Sequence, residues 1–498
     1  MPDNLAVSFL DPQLPSSDAA RSPWQRLGWV GFLIVVLGAL YVVLGAPIGL
    51  IFLLAALVAT LFIWRFPYAG FFAFLATALL INWQISIGTS NLDVGERAFG
   101  GAIEVGVGEL IALAVLGAWV LRLFFFARKN RKEDWKPWLP LAVGFIALVG
   151  AQLLSSFSVA EPDPVLVIKY ALRPVFLAYL TCVLLPVNFL QTKKRLMMAL
   201  AVLVCVGVFF ALDGFRSLFS MIAGASLHFA QPMPIFGAYP IGDNHNALGE
   251  ILIFCAPVAL ALSALAESVR TKRLLAYAAS FMAGIALLTL SRSAWLALGV
   301  EGLFLCATVW RPWFKKHLQT FWLLLLASVP FVAVMLIYST QAEVKGSNQS
   351  RSLLADIAWN LFKSSPWIGV GAGTFVDQVA RVYAFTVEFG SPLDAHGILQ
   401  KVAAETGLIG LFAFAWVIWL VVAYGREAWE WMGDHTHEER SAFMYLASAA
   451  IGSGVFQLFS TTSWTARLWL PVGIFLAAAR LFYARLSADP KYLTNIHV

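Results

Sequence analysis

The chain has 498 residues, 60% of them hydrophobic and only 12% charged, with 34 Lys and Arg against 28 Asp and Glu. A mean hydropathy of +0.78 describes a chain dissolved mostly in lipid and excludes a string of soluble domains. The net charge of +6 sits in short clusters between apolar runs, a pattern that orients loops across a membrane and gives no reason to expect nucleic acid as a partner.

Residues 1–26 carry Asp3, Asp11 and Asp18 and have no short apolar core with a small-residue cleavage site. They are expected to form a cytoplasmic tail ahead of an uncleaved first span. A bilayer-crossing helix needs roughly 20 apolar residues, and the chain supplies about fourteen such runs. These are 27–44, 47–64, 68–87, 105–126, 138–157, 167–190, 196–213, 247–266, 274–290, 294–310, 318–338, 397–424, 441–459 and 468–482. The expectation is an all-α, multi-pass membrane protein with one transmembrane domain, 27–484, and a second cytoplasmic tail, 485–498. The four cysteines, Cys182, Cys205, Cys255 and Cys306, fall singly inside apolar runs, so neither a disulfide framework nor a metal site is expected.

The basic clusters 128–136, 193–195, 270–273 and 311–316 all fall on one side of this alternation, which the positive-inside rule makes cytoplasmic. The long loops 88–104, 214–245 and 339–395 then face outward. In the last, Leu353, Leu354, Ile357, Ala358, Leu361 and Phe362 recur at helical spacing, with Arg351, Asp356 and Lys363 off the stripe. The pattern predicts an amphipathic helix opened by Arg351, lying at the outer interface and stopped by Ser364, Ser365 and Pro366.

Ionisable groups against a bilayer are costly and need a reason. On the outward side the candidates are Lys169 and Arg173, Arg292 in a short turn, Arg351, Lys401 and Arg467 at the last outward turn. Guanidiniums converging there suit an anion such as a diphosphate, which Arg grips bidentately. Each, taken singly, is equally suited to a lipid phosphate or a helix C-terminus. His396 follows Asp394 in the run DAHG. With Asp394 as N-cap, the helix dipole would keep the imidazole neutral and competent as a general base; the plainer alternative is a His that merely ends a helix. Lys401 and Glu405 are spaced to pair. The run GVGAGTF (369–375) lacks the strand and Lys-Ser/Thr of a nucleotide loop, so tight backbone turning near a ligand is the better expectation. Asp243, Asn244, His245 and Asn246 form a polar run without a second cluster at metal-ligand spacing.

Ser291 and Arg292 ending an outward span, Arg351 before an amphipathic helix, PWIGVGAGTF (366–375), and His396 heading a span that continues AETGLIGL (404–411) resemble the O-antigen ligase/polymerase superfamily of bacterial membrane glycosyltransferases. The motif-bearing part runs from 242 to 421, and the chain has more spans than a ligase of this family is expected to have. The resemblance implies inverting, metal-independent and cofactor-free glycosyl transfer at the periplasmic face of the inner membrane. The donor would be a glycan on undecaprenyl diphosphate and the acceptor a lipid A core, a glycan or a protein. Carried over, Arg292 and Arg351 hold the diphosphate and His396 acts on the acceptor hydroxyl, with Arg173, Lys169 and Lys401 as further substrate contacts. Ligase, polymerase and protein O-glycosylation enzyme stay open at this point. A secondary anion transporter, which would call for paired broken helices and inverted repeats, and a structural subunit of an envelope assembly are the alternatives from other classes.

Overall fold

The computed structural model describes residues 59–80, 82, 84–87, 103–126, 137–159, 167–219, 229–235, 237–320, 322–323, 326, 342–460 and 464–487. Residues 59–65 form a helical stretch in a first unit, Met1–Arg65; everything below belongs to the second, Phe66–Val498. Its elements begin with α1 (Pro67–Thr77), then a two-stranded antiparallel ribbon of β1 (Gln84–Ile87) and β2 (Ile103–Gly106). After it come α2 (Val107–Phe126), α3 (Ala142–Ser156) and α4, a helical run of Val167–Leu172, Arg173–Leu177, Ala178–Leu184 and Leu185–Phe189. The first and third segments of α4 are π-helical. Each runs into a turn holding Pro174 or Pro186, whose missing amide interrupts the regular ladder.

The remaining helices are α5 (Lys193–Ser217), α6 (His245–Leu265), α7 (Val269–Leu288), α8 (Arg292–Ala307), α9 (Arg311–Lys316), α10 (Ala342–Ser364), α11 (Phe375–Ala380), α12 (Tyr383–Phe389), α13 (Ile398–Trp431), α14 (His437–Gln457) and α15 (Ala466–Ser487). Five described helices are long and apolar enough to cross a membrane: α5, α6, α7, α13 and the Ala466–Tyr483 part of α15. Helices α1 and α3 and the Arg173–Phe189 part of α4 are apolar but shorter. The expected run 27–44 and most of 47–64 and 318–338 lie outside the described residues. The run 68–87 departs from expectation. Its helix stops at Thr77 and the chain turns into β1, so an apolar run that reads as one span is divided between a helix and a ribbon.

Helix α6 is at the centre, packed by α5, α7 and α14 and buried on nearly all sides, as a helix apolar around its whole circumference must be. Helix α8 packs on α14, while α13 packs on α3 and α15. Because these helices alternate in direction, the starts of α6, α8, α13 and α15 share one end of the bundle with the end of α7. The basic runs at Lys193, Arg270 and Arg311 gather at the other. A buried polar cluster locks the first end. Arg467 donates from Nη1 to Glu250 Oε2 (2.8 Å) and from Nη2 to the carbonyl of Ile241 (2.6 Å), and Gln457 donates to the other oxygen of Glu250. Arg467 and Glu250 are each only 2% exposed. The expected surface role of Arg467 is therefore replaced by an internal ion pair joining α6, α14 and α15.

Candidate active site

Helices α7 and α8 are joined by a three-residue turn, Thr289 to Ser291, in which Leu290 adopts φ +57°, a conformation that is uncommon outside glycine. The turn is held by its own hydroxyls: Ser291 N–H donates to Thr289 Oγ1 (3.2 Å), and Ser291 Oγ accepts from Ala294 N–H as the N-cap of α8. Arg292 is thereby the first residue of α8, exposed, and its Nη2 donates to Asn348 Oδ1 of α10 at 2.7 Å. The two separated segments do meet.

Arg351 lies three residues beyond Asn348, on the same face of α10. The expectation that Arg351 opens this helix is corrected, since α10 begins at Ala342 and Arg351 sits mid-helix. Its Nε is buried and has no hydrogen-bond partner among the described residues. Burial, and then the neighbouring Arg292, hold the guanidinium below its usual pKa. Two guanidiniums kept this close are chemically suited to an anion, which Arg can grip bidentately.

The predicted apolar stripe packs as expected: Leu354, Ile357 and Ala358 join Phe375, Val379, Phe385, Ala395 and Ala404 in one buried cluster. That cluster ties α10 to the residue just before His396. The N-cap expectation fails, however. Helix α13 starts at Ile398, so Asp394 and His396 precede it. The Asp394 carboxylate accepts instead from its neighbour Ala395 N–H (2.8 Å) and from Lys401 Nζ (2.5 Å). A longer-range charge has won over the local cap. Gly397 fits because a Cβ there would come within 2.5 Å of the Leu458 carbonyl oxygen. Burial and Arg351 lower the pKa of His396, partly offset by Asp394. The neutral imidazole expected from a helix dipole is obtained from burial and a guanidinium.

The glycine-rich run is a brace. Helix α13 is broken at Gly407, at φ 62° and ψ −156°, and the segment 366–371 fills the break. Val370 and Gly371 N–H donate to the carbonyls of Ala404 (3.0 Å) and Glu405 (3.2 Å), while Leu408 and Ile409 N–H donate to those of Pro366 (2.8 Å) and Trp367 (3.1 Å). Backbone groups freed inside a membrane helix are thus re-satisfied by the loop. Gly369, at φ +73°, touches the Glu405 carbonyl so closely that no Cβ fits. The carboxylate of Glu405 accepts from Phe375 N–H (3.1 Å) and from the Gly373 backbone, so the brace is pinned through side chain and backbone alike.

Other candidates are placed differently. Arg173 is paired with Glu109 of α2 at 2.5 Å, so its charge is already answered by a carboxylate. Lys169 lies in the first π-helical segment, with its side chain outside the described residues. Lys401 pairs with Asp394, two residues before His396. The polar run 243–246 proves to be a helix start: Asn244 caps α6, its Oδ1 accepting from Asn246 N–H at 2.8 Å, and presents His245 as the first helical residue. His245 feels the charges of both Arg351 and Arg292. Its signal in the sequence was its place on the outward side, immediately before a span.

Residues 277–415 match the family model described as O-Antigen ligase. A comparison with curated proteins finds no match. Arg292, Arg351 and His396 fall within the matched stretch, as does the whole 366–371 brace, whereas His245 precedes it. With its long apolar helices the chain is an integral membrane protein.

Proposed function

We propose that this protein, which the 277–415 match places in the O-antigen ligase/polymerase superfamily, moves a glycan from undecaprenyl diphosphate to an acceptor hydroxyl. The reaction takes place at the periplasmic face of the inner membrane. Membership brings glycosyltransferase-like activity with a lipid-linked glycan donor and a glycan acceptor; the ligase form of the reaction and the residue roles are our reading. The observation that carries it is the nearness of Arg292 and Arg351: Arg292 donates to Asn348, one turn before Arg351 on α10, and its charge acts on Arg351, whose Nε has no hydrogen-bond partner among the described residues and whose own charge acts on His396.

In this reading the two guanidiniums grip the diphosphate of the donor. The acceptor oxygen attacks the anomeric carbon from the opposite face while its proton passes to the neutral ring of His396. The bond from that carbon to the diphosphate oxygen breaks, its electron pair leaves with the diphosphate, and the arginines stabilise the developing charge. Configuration inverts in a single displacement. Asp394, held by Lys401, keeps His396 basic enough to take the proton.

The test uses full-length His396→Ala and Arg292→Ala proteins incubated with an undecaprenyl-diphosphate oligosaccharide and acceptors. Both should fold into the membrane and make no glycoconjugate; normal product from both would overturn the assigned roles. A single transfer to lipid A core, glycan or protein identifies a ligase, and a growing lipid-linked ladder a polymerase.

A further inference from the structure

We propose that His245 is a further donor-binding residue, its ring N–H hydrogen-bonding the diphosphate that Arg292 and Arg351 grip. The inference rests on the diphosphate reading above and extends it to a residue outside the 277–415 match. Two features of the packing place the side chain. Gly249, one helical turn further along α6, lies against the turn that presents Arg292: a Cβ there would be 3.0 Å from Ala294 Cβ and 3.5 Å from Ser291 Cβ. Residues four apart share a helix face, so the face that touches this turn carries His245 one turn nearer the open end.

The ring itself leans edge-on against Phe229, with centroids 5.1 Å apart and planes at 72°. The next residue, Ala230, donates its N–H to the Leu288 carbonyl at 2.8 Å, tying this support to the end of α7 beside the Arg292 turn. The imidazole is therefore positioned from α6 and from the 229–230 segment, within the field of two guanidiniums. In every protonation state an imidazole keeps at least one N–H donor. Beside two cations, the occupant such a donor serves best is the same anion. The arginines supply charge, and the imidazole adds a directional bond on a different oxygen.

Binding of farnesyl diphosphate to the purified full-length protein in nanodiscs tests this, using His245→Ala, His245→Gln and Arg351→Ala together with their thermal midpoints. Loss of one charge-assisted hydrogen bond corresponds to about ten-fold weaker binding. His245→Ala should show it, and His245→Gln, which keeps a donor amide, should recover most of it at an unchanged thermal midpoint. If Arg351→Ala weakens binding and His245→Ala does not, the inference falls while the diphosphate reading stands. Equal losses in His245→Ala and His245→Gln at unchanged midpoints would also overturn it. If none of the three variants changes binding, the diphosphate reading fails and takes the inference with it.

Discussion

Replacing Gly407 by Ala should separate the glycine-rich brace from α13. At φ 62° and ψ −156° the position lies in a region that is essentially glycine's own, and another residue there costs about 1–3 kcal/mol. Space is also lacking. An added Cβ would sit 2.6 Å from the carbonyl carbon and oxygen of Trp367 and 2.8 Å from Gly369 N. All three are backbone atoms, so no rotamer change relieves the clash. The segment must back away, straining the 2.8 Å bond from Leu408 N–H to Pro366 and the 3.1 Å bond from Ile409 N–H to Trp367. One such buried bond left unmade costs about another 1–3 kcal/mol, for a combined loss of about 2–6 kcal/mol. The assay is the thermal midpoint of the detergent-purified variant together with its glycan transfer. Gly284→Ala serves as control, because a Cβ on that α7 residue meets open space. A Gly407→Ala protein with the midpoint and activity of the unaltered chain would refute the brace.

Two further predictions concern charge. Arg467→Leu takes the guanidinium away from the buried Glu250 carboxylate and should destabilise by about 3–5 kcal/mol, read as a lowered thermal midpoint. Adding Glu250→Leu should restore part of that loss, and a double variant less stable than the single would contradict the pairing. His396 must be neutral to accept a proton, and its pKa lies below the ordinary 6.5, so transfer should persist into mildly acidic conditions and fail only as pH drops through that lowered value. Asp394 raises this pKa. Asp394→Asn should therefore move the acidic limb of kcat/KM to still lower pH, and freeing Lys401 pushes the same way; a shift to higher pH would reverse the assigned electrostatics.

What could be read from the chain beforehand follows from how far apart the interacting residues are. Helix α6 and the apolar stripe of α10 were legible because burial writes a local, periodic pattern. Arg292, Arg351 and His396 stood out because charges on the outward side of an apolar chain are rare enough to need a reason, and the motif order joined them. Expectations failed where a distant partner overrode a local rule. Asp394 reads as a cap, yet Lys401, seven residues on, takes it. The apolar run 397–424 reads as one continuous span, yet its helix breaks at Gly407 and a loop from earlier in the chain pairs with the freed backbone there. Arg467 reads as a surface cation until Glu250, 217 residues away, is brought beside it. Helix α10 extends back to Ala342 through the polar, glycine-bearing stretch AEVKGSNQ, where neither propensity nor pattern marks a start; within it, Asn348 is held by Arg292. These long-range contacts surround the site, and they explain why its residue types were evident while its assembly was not. Arg292 depends on a strained turn, Arg351 on the buried apolar cluster beneath α10, and His396 on an ion pair and a close carbonyl. Each of those supports comes from a different part of the chain, so the site exists only once the bundle has closed.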